Sequence, residues 1–426
     1  MGQRNDIRNI YVYAHWVGMK EPVLMGELKA AFVRGKEIFS FSYAEKWLKS
    51  RFSQILDPEL LLYSGSQYAD DKKPNFGVFL DSSPDRWGRI LMKRQEAATA
   101  RYEGRKERTL RESDYLLGVF DTHRMGALRF KEDPDGPFLN NNETFASPPW
   151  ISIRELEQIS LRLEEEDITD DPEYIKWLTM LVNPGSSLGG ARPKASVLDD
   201  KKNLWIAKFP SRTDIKDIGG WEMVANEIAR NAGLNVAISK IQKFSSRYYT
   251  FLTKRFDRTD NGERIHYASA MTMLGYKDGD SFQEGVSYLE IVDFLTNNGA
   301  SIDKDLKELW SRIVFNIFIS NTDDHLRNHG FILTDKGWIL SPAYDINPNE
   351  DGAGLSLNID LDDNSLTLDL PLKVLEYFRL NKDDGLIIID RIRKAVTDWR
   401  RIANRYQLPK SEQEIMAKVF ERFLKK

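Results

Sequence analysis

The sequence predicts an α+β chain, β-rich in its first part and mostly helical in its last, and three observations carry that reading. Between about residues 8 and 40 the stretches IRNIYVYAHWV, PVLMGELKAAFV and EIFSFSY alternate and are punctuated by glycines, the pattern of strands. After about residue 285 apolar residues recur at helical spacing, as in LWSRIVFNIFI. Between them FKEDPDGPFLNNNETFASPP, residues 130–149, concentrates Pro, Gly, Asn and acids, and reads as a linker or long surface loop. Strands followed by helices make an α+β arrangement.

Taken in order, the pattern turns helical from residue 44. SPDRWGRILMKRQEA, beginning at Ser83, carries a start signal: Ser83 can cap, Pro84 suits the first helical position, and Trp87, Ile90 and Leu91 follow at helical spacing. Beyond the linker at 131–149 come two helices, SIRELEQISLRLEEE and DPEYIKWLTMLV, and a Gly/Ser-rich turn, NPGSSLGGARPKA. Strands ASVLDD and NLWIAKFP follow, then a helix from about Gly220 to Asn231 and strands AISKIQKF and YYTFLTKRF. The helical remainder is broken once, by the hairpin-like HGFILTDKGWILSPAYD. Domains are expected at 1–130, 150–258 and 259–426.

Composition narrows the function classes. The 426 residues are 41% hydrophobic and 30% charged, the profile of a soluble globular protein with two or three folding units. Net charge is −4, from 61 basic and 65 acidic residues, so no whole-surface grip on nucleic acid is expected. With no cysteine, disulfides, thiolate metal sites and cysteine nucleophiles are excluded. The longest apolar run, IVFNIFI, is far short of the ~20 residues that span a bilayer. The N-terminus lacks a secretory apolar stretch, which makes the cytoplasm the expected compartment.

The chemistry concentrates in SNTDDHLRNHG, residues 320–330, directly after the apolar helix. Asp323 and Asn328 stand as D-x-x-x-x-N, the spacing of a kinase catalytic loop, where Asp accepts the proton of an attacking hydroxyl and Asn helps hold Mg²⁺. One hairpin later PAYDI supplies Asp345, an acid placed to give a second Mg²⁺ ligand. Upstream, LWIAKFP puts Lys208 in an apolar strand, where a lysine is costly unless it meets a phosphate or carboxylate. Ahead of it GSSLGGARPK offers backbone N–H groups that could cradle phosphate oxygens. Glu222 and Glu227, on the following helix, are candidate partners for Lys208. Phosphate loop, strand lysine, helix acid, catalytic loop and metal acid occur in kinase order.

The motifs SSLGGARPKA, WIAKFP, TKRFDR, NTDDHLRNHGF and LSPAYDI together resemble the HipA-type serine/threonine protein kinases, the toxins of bacterial toxin–antitoxin pairs. SPDRWGRILM and DYLLGVFDTHRMGALRF resemble the N-terminal subdomain of that family, so the likeness runs from about residue 11 to 410. It implies a protein-kinase-like two-lobe fold: an N-terminal subdomain at 1–130, an N-lobe core at 150–258 and a helical C-lobe at 259–426. By position it implies Asp323 as catalytic base and Asn328 and Asp345 as Mg²⁺ ligands. Lys208 would contact the ATP phosphates, and Gly189, Gly190, Ala191, Arg192, Pro193 and Lys194 would form the phosphate-binding loop. Lys254, Arg255 and Phe256 would offer hinge backbone groups to adenine, with Asp257 and His325 near the nucleotide. Ser187 matches the serine such kinases autophosphorylate; the residues themselves do not separate it from Ser186. Family substrates are proteins, notably an aminoacyl-tRNA synthetase. The usual partner is a small helix-turn-helix antitoxin, through which any DNA contact would run.

Other readings stand beside this one. Asp324 is a second acid next to the base; the spacing to Asn328 favours Asp323, and exchange of Asp324 is expected to be mild. His325 and His329, four apart, could pair on zinc, but the Glu of H-E-x-x-H is missing. His329 is read as structural, opening the strand. Trp87, Arg89 and RMGALRF read as packing and inter-lobe contacts. Rival functions are a non-catalytic kinase-fold protein bridging antitoxin to DNA, and a small-molecule phosphotransferase. The set Lys208, Asp323, Asn328 and Asp345 argues against the first, and the N-terminal half with its SSLGGARPK loop against the second.

Overall fold

The computed structural model describes residues 6–139, 152–165, 173–182, 190 and 192–424. The chain forms two compact units, Met1–Ser211 with Asp257–Ala268, and Arg212–Phe256 with Ser269–Lys426. Among the described residues no helix is long and apolar enough to cross a membrane.

The first unit opens with the three expected strands, β1 (Asp6–Ala14), β2 (Val23–Val33) and β3 (Lys36–Tyr43). They lie antiparallel, with Ile10 opposite Leu28 and Leu28 opposite Phe41, so every second residue faces the core. Gly26 is dictated by this packing: a Cβ there would stand 2.3 Å from the Ser42 carbonyl and 2.5 Å from the Phe41 ring. A helix α1 (Glu45–Leu48) is brief, and the helical run expected from residue 44 gives way to turns and a short edge strand, β4 (Ser66–Tyr68). Helices α2 (Gly77–Asp81), α3 (Arg86–Tyr102) and α4 (Glu112–Gly118) follow, and β5 (Leu128–Lys131) closes the sheet in the order β4-β3-β2-β1-β5. Phe79 joins sheet to helices, its ring 5.6 Å from Phe41 and 6.1 Å from Phe130.

The start of α3 corrects the sequence reading. The cap is Asp85, whose Oδ1 accepts the Gly88 N–H at 2.8 Å, while the Ser83 hydroxyl donates back to the Phe79 carbonyl. Pro84 therefore precedes the cap rather than filling the first helical turn. Arg124 of RMGALRF is fully enclosed, donating to the carbonyls of Ser82, Leu116 and Val119, which bears out a packing role. Helices α5 (Ile153–Arg162) and α6 (Tyr174–Val182) pack beside α3, with Gln95 donating to Thr179 Oγ1. The unit ends in the antiparallel pair β6 (Lys194–Leu198) and β7 (Leu204–Lys208).

The second unit begins with α7 (Ile218–Asn231), capped by Asp217, and the paired strands β8 (Ser239–Gln242) and β9 (Thr250–Lys254). After a short strand β10 (Tyr267–Ser269) that begins in the first unit, helix α8 (Ala270–Met273) leads to α9 (Tyr288–Asn298) and α10 (Ile302–Ile319). α10 is the spine: its residues from Leu309 to Ile319 are all buried. The hairpin β11 (Gly330–Thr334) and β12 (Gly337–Leu340) follows with Thr334 opposite Gly337, leaving Asp335-Lys336 as the turn. Helices α11 (Asp369–Lys373), α12 (Lys382–Thr397), α13 (Trp399–Arg405) and α14 (Lys410–Phe420) complete it. Trp221 of α7 packs against Trp399 and Phe420, and Glu412 of α14 accepts from the Trp221 indole at 2.8 Å and the Asp217 N–H at 3.1 Å.

Candidate active site

The buried helix α10 ends abruptly because Ser320 adopts the left-handed conformation, φ 47°, and returns its N–H to Ile317. The chain then folds a tight loop over its own backbone: Asn321 N–H to Asn316 O, Thr322 N–H to Ser320 O, His325 N–H to Asp323 O and Asn328 N–H to His325 O, all 2.8–2.9 Å. This loop holds the adjacent acids in opposite environments.

Asp324 points inward. Its Oδ2 accepts from the Tyr288 hydroxyl at 2.5 Å, Asn316 Nδ2 at 2.7 Å and His329 Nε2 at 2.8 Å. Burial would raise its carboxyl, but His329 and these hydrogen bonds win and hold it below the usual range. The Tyr288 phenol is pushed well up, by burial first and then by the Asp324 charge. Asp324 is thus a structural post held toward its ionised form, with His329 its partner at the mouth of β11. Exchange of Asp324 would weaken three buried hydrogen bonds that converge on one oxygen.

Asp323 is the exposed member. Its carboxyl is nonetheless sheltered enough that desolvation raises it; His325 pulls it down, and Asp345 and Asp324 push it up. Asn328 is buried and its Nδ2 donates to the Asp323 carbonyl at 2.9 Å. That bond ties the amide to the loop backbone through its NH₂ group. Asp345 lies five residues beyond β12, in left-handed conformation, φ 57°, which Asp tolerates better than most residues. Its Oδ1 accepts from Asn347 Nδ2 at 2.8 Å. Two ties hold it to the 320–330 loop: the Tyr344 hydroxyl donates to Arg327 O at 2.6 Å, and Asn347 N–H reaches Asn321 Oδ1 at 3.3 Å.

The segment after Asp345 is fastened to Thr322. Asn349 Nδ2 donates to Thr322 Oγ1 and the Ser356 hydroxyl to Thr322 O, both at 2.7 Å. Gly352 lies so close that a Cβ would stand 2.3 Å from Thr322 Cγ2.

The remaining expected residues fall as follows. In the second unit Lys254 ends β9, Arg255 is buried, and the Phe256 ring lies 5.4 Å from Tyr344. His325 is half-buried in the 320–330 loop. Glu227, a candidate partner for Lys208, is taken by Arg405 and by the Tyr406 hydroxyl at 2.7 Å, and Glu222 is buried. In the first unit Lys208 is the half-buried last residue of β7. Lys194 is fully buried, its ammonium 2.8 Å from Asp85 Oδ2 and 3.1 Å from Gly190 O, so one carboxylate both caps α3 and anchors β6. Gly190 has φ 94°, Arg192 donates to Phe209 O at 3.1 Å, and Pro193 O accepts the Phe209 N–H. The buried Asp257 carboxylate accepts from Gly126 N–H and Arg258. Ser186, Ser187, Gly189 and Ala191 lie outside the described residues.

Sequence reasoning missed Tyr288, Asn316, Thr322, Asn347, Ser356 and Gly352. Asn316 alone announced itself, as the polar residue interrupting the apolar run IVFNIFI.

Fold and site together define an α+β protein of the protein-kinase-like class. A family model described as the HipA-like C-terminal domain matches residues 186–426, and the chain belongs to that family. Over 190 residues it is 27% identical to the serine/threonine-protein kinase toxin HipA of Shewanella oneidensis, covering 38% of this chain and 43% of that protein. Over 176 residues it is 26% identical to toxin YjjJ of Escherichia coli K12, covering 38% of each chain. The chain thus spans less than half the length of either relative. In three dimensions it resembles HipA of Shewanella oneidensis MR-1, solved with HipB and operator DNA: TM-score 0.67, 18% identity, 97% of this chain and 96% of that one.

Proposed function

We propose that this protein is an ATP- and Mg²⁺-dependent serine/threonine protein kinase of the HipA toxin type. The observation that carries the reading is the division of labour between the two acids: Asp324 is locked by three donors, and Asp323 is left exposed beside Asn328. A scaffold needs the post but not the exposed acid. In the reaction Asp323 accepts the proton of a substrate Ser or Thr hydroxyl; the oxygen bonds to the γ-phosphorus of ATP as the bond to ADP breaks.

The donor set fits a hard cation. Asn328 and Asp345 offer oxygen ligands, and Mg²⁺ is commonly held by one or two protein oxygens plus phosphates and water. When bound, Mg²⁺ neutralises charge on the transferring phosphate. Lys208 and the 189–194 loop would bind the phosphates, Lys254 to Phe256 the base, and Asp257 and His325 would stand near the nucleotide.

The reading extends to domains bounded at 131–149 and at 258, to a cellular protein substrate connected with translation, and to a cytoplasmic setting. It includes autophosphorylation of Ser187 in the phosphate loop and neutralisation by a small helix-turn-helix antitoxin. The test is incubation with labelled ATP, Mg²⁺ and cell lysate, with Asp323→Asn as control. Labelled protein with the parent chain and none with the variant is expected; equal labelling by both would overturn the reading.

A further inference from the structure

The Lys194 ammonium is shut away from solvent. Lys194 is 1% and Asp85 2% exposed, and the ammonium lies 2.8 Å from Asp85 Oδ2, a partner 109 positions earlier in the chain. Asp85 Oδ1 already accepts the Gly88 N–H at 2.8 Å, at the start of the 17-residue helix α3. One oxygen fastened to a helix aims the other, so the ammonium is held at a fixed point. The ammonium passes that fixity on by donating to the Gly190 carbonyl at 3.1 Å. Gly190 has φ 94°, and a Cβ there would stand 3.4 Å from Lys194 Nζ, so the ammonium lies against the glycine backbone.

The carboxylate has a second effect, through charge. In the β6–β7 ladder Lys194 stands directly opposite Lys208. Residues so paired project from one face with Cβ atoms about 4.5–5.5 Å apart, and like charges there repel. Asp85 offsets one of the two, so Lys208 keeps its charge without an uncompensated ammonium as its cross-strand neighbour.

We propose that Asp85 and Lys194 are positioning residues for ATP: Asp85 holds the Lys194 ammonium behind the phosphate loop, and the ammonium holds the Gly190 carbonyl inward. The proposal rests on the protein-kinase reading, in which residues 189–194 bind the ATP phosphates, and deepens it. A planar trans peptide directs its N–H opposite to its carbonyl, so drawing a carbonyl inward is the way to turn a donor outward to an anion. Lys194 therefore serves the phosphates through the backbone and not by contact, and α3 enters the nucleotide machinery through its cap. Without the carboxylate a buried ammonium is strongly disfavoured, and its route to solvent takes it off the Gly190 carbonyl.

The test compares the full parent chain with Asp85→Asn, whose side-chain oxygen can still cap α3, with Lys194→Met, and with the double variant. Binding of a fluorescent ATP analogue with Mg²⁺, KM for ATP and kcat of phosphoryl transfer, and Tm are read on each. Both single variants should lower Tm and weaken ATP binding at least about tenfold. The double variant buries no charge, so its Tm should recover toward the parent. Its ATP affinity should stay down by the same factor as in the singles, about tenfold, with KM rising by more than kcat falls. Weak binding by Lys194→Met beside parental binding by Asp85→Asn would make Lys194 a direct phosphate ligand and overturn the proposal. A double variant that recovers both Tm and affinity, or one that melts as low as the singles, would confine the pair to folding and also overturn it. A parent that binds nucleotide, shows the stated losses and labels no protein would sink the kinase reading and keep the anchor. A parent that transfers phosphate while all three variants keep its KM would sink the anchor and keep the kinase. A parent that binds no nucleotide would sink both.

Discussion

Exchanging each adjacent acid for its amide separates chemistry from architecture at one step of the chain. Asp324→Asn weakens three buried hydrogen bonds that converge on one carboxylate oxygen, from the Tyr288 hydroxyl, the Asn316 amide and the His329 ring. An amide keeps one oxygen but places an NH₂ group where a carboxylate oxygen stood, and loses the charge that His329 faces. At about 1–2 kcal/mol for each charge-assisted bond weakened or stranded, destabilisation of about 3–6 kcal/mol is expected. Asp323→Asn alters an exposed residue, so stability should move by no more than about 0.5 kcal/mol. Its phosphoryl transfer should fall by roughly 10²–10⁴, the ordinary contribution of a positioned base, with ATP affinity nearly unchanged. Urea unfolding and transfer from labelled ATP, on the same preparations, read both quantities. An Asp324→Asn chain as stable as the parent but inactive, beside an active Asp323→Asn chain, would refute the assignment and move the base to Asp324.

Four further outcomes are expected. Asp345→Asn should abolish transfer while keeping the fold, because Asn accepts the φ of 57° and can still accept from Asn347; a parental rate would show that Asp345 is no metal ligand. Gly352→Ala should slow transfer at least about tenfold through kcat, since its Cβ would displace Thr322 next to Asp323; an unchanged kcat would remove the clamp from the mechanism. Asp57, 1% exposed and accepting from Glu59 N–H and Val78 N–H, has its carboxyl pushed up to about 6 by burial. The folded state therefore keeps the proton longer than the unfolded one, and stability drops as pH rises through about 4 to 6, by up to about 3 kcal/mol. Urea titrations near pH 5 and 7 should show that slope in the parent and lose it in Asp57→Asn, and identical slopes would clear Asp57. Incubation with Mg²⁺-ATP and mass spectrometry should find phosphate on Ser187 and none after Ser187→Ala, with ATP binding lost on modification; an unmodified loop peptide from active protein would count against it.

What the sequence disclosed was local. The strands from Asp6 to Tyr43, the hairpin at 330–340 and the loop after α10 announce themselves by alternation, turn residues and short spacing. Ser83 and Asp85 are equally good caps on paper, and only the Lys194 ammonium, over a hundred positions later, singles out the acid. Asp324 is distinguished from Asp323 by Tyr288, Asn316 and His329, contributed by two helices and the approach to a strand. No spacing rule joins 288 to 324. The Thr322 clamp likewise depends on a segment with no regular secondary structure of its own.

The contact of Glu412 with Trp221 sets a schedule for the making of this protein. The two residues are 191 positions apart, and the same carboxylate also takes the Asp217 N–H at the start of α7. Synthesis at about 5–20 residues per second separates their emergence by roughly 10–40 seconds. Until residues 399 and 420 have followed, α7 lacks the cover of Trp399 and Phe420, although the loop bearing Asp323 is made well before them. A chain stopped before residue 399 would already carry Asp323, Asn328 and Asp345 and still leave the Trp221 side of α7 uncovered.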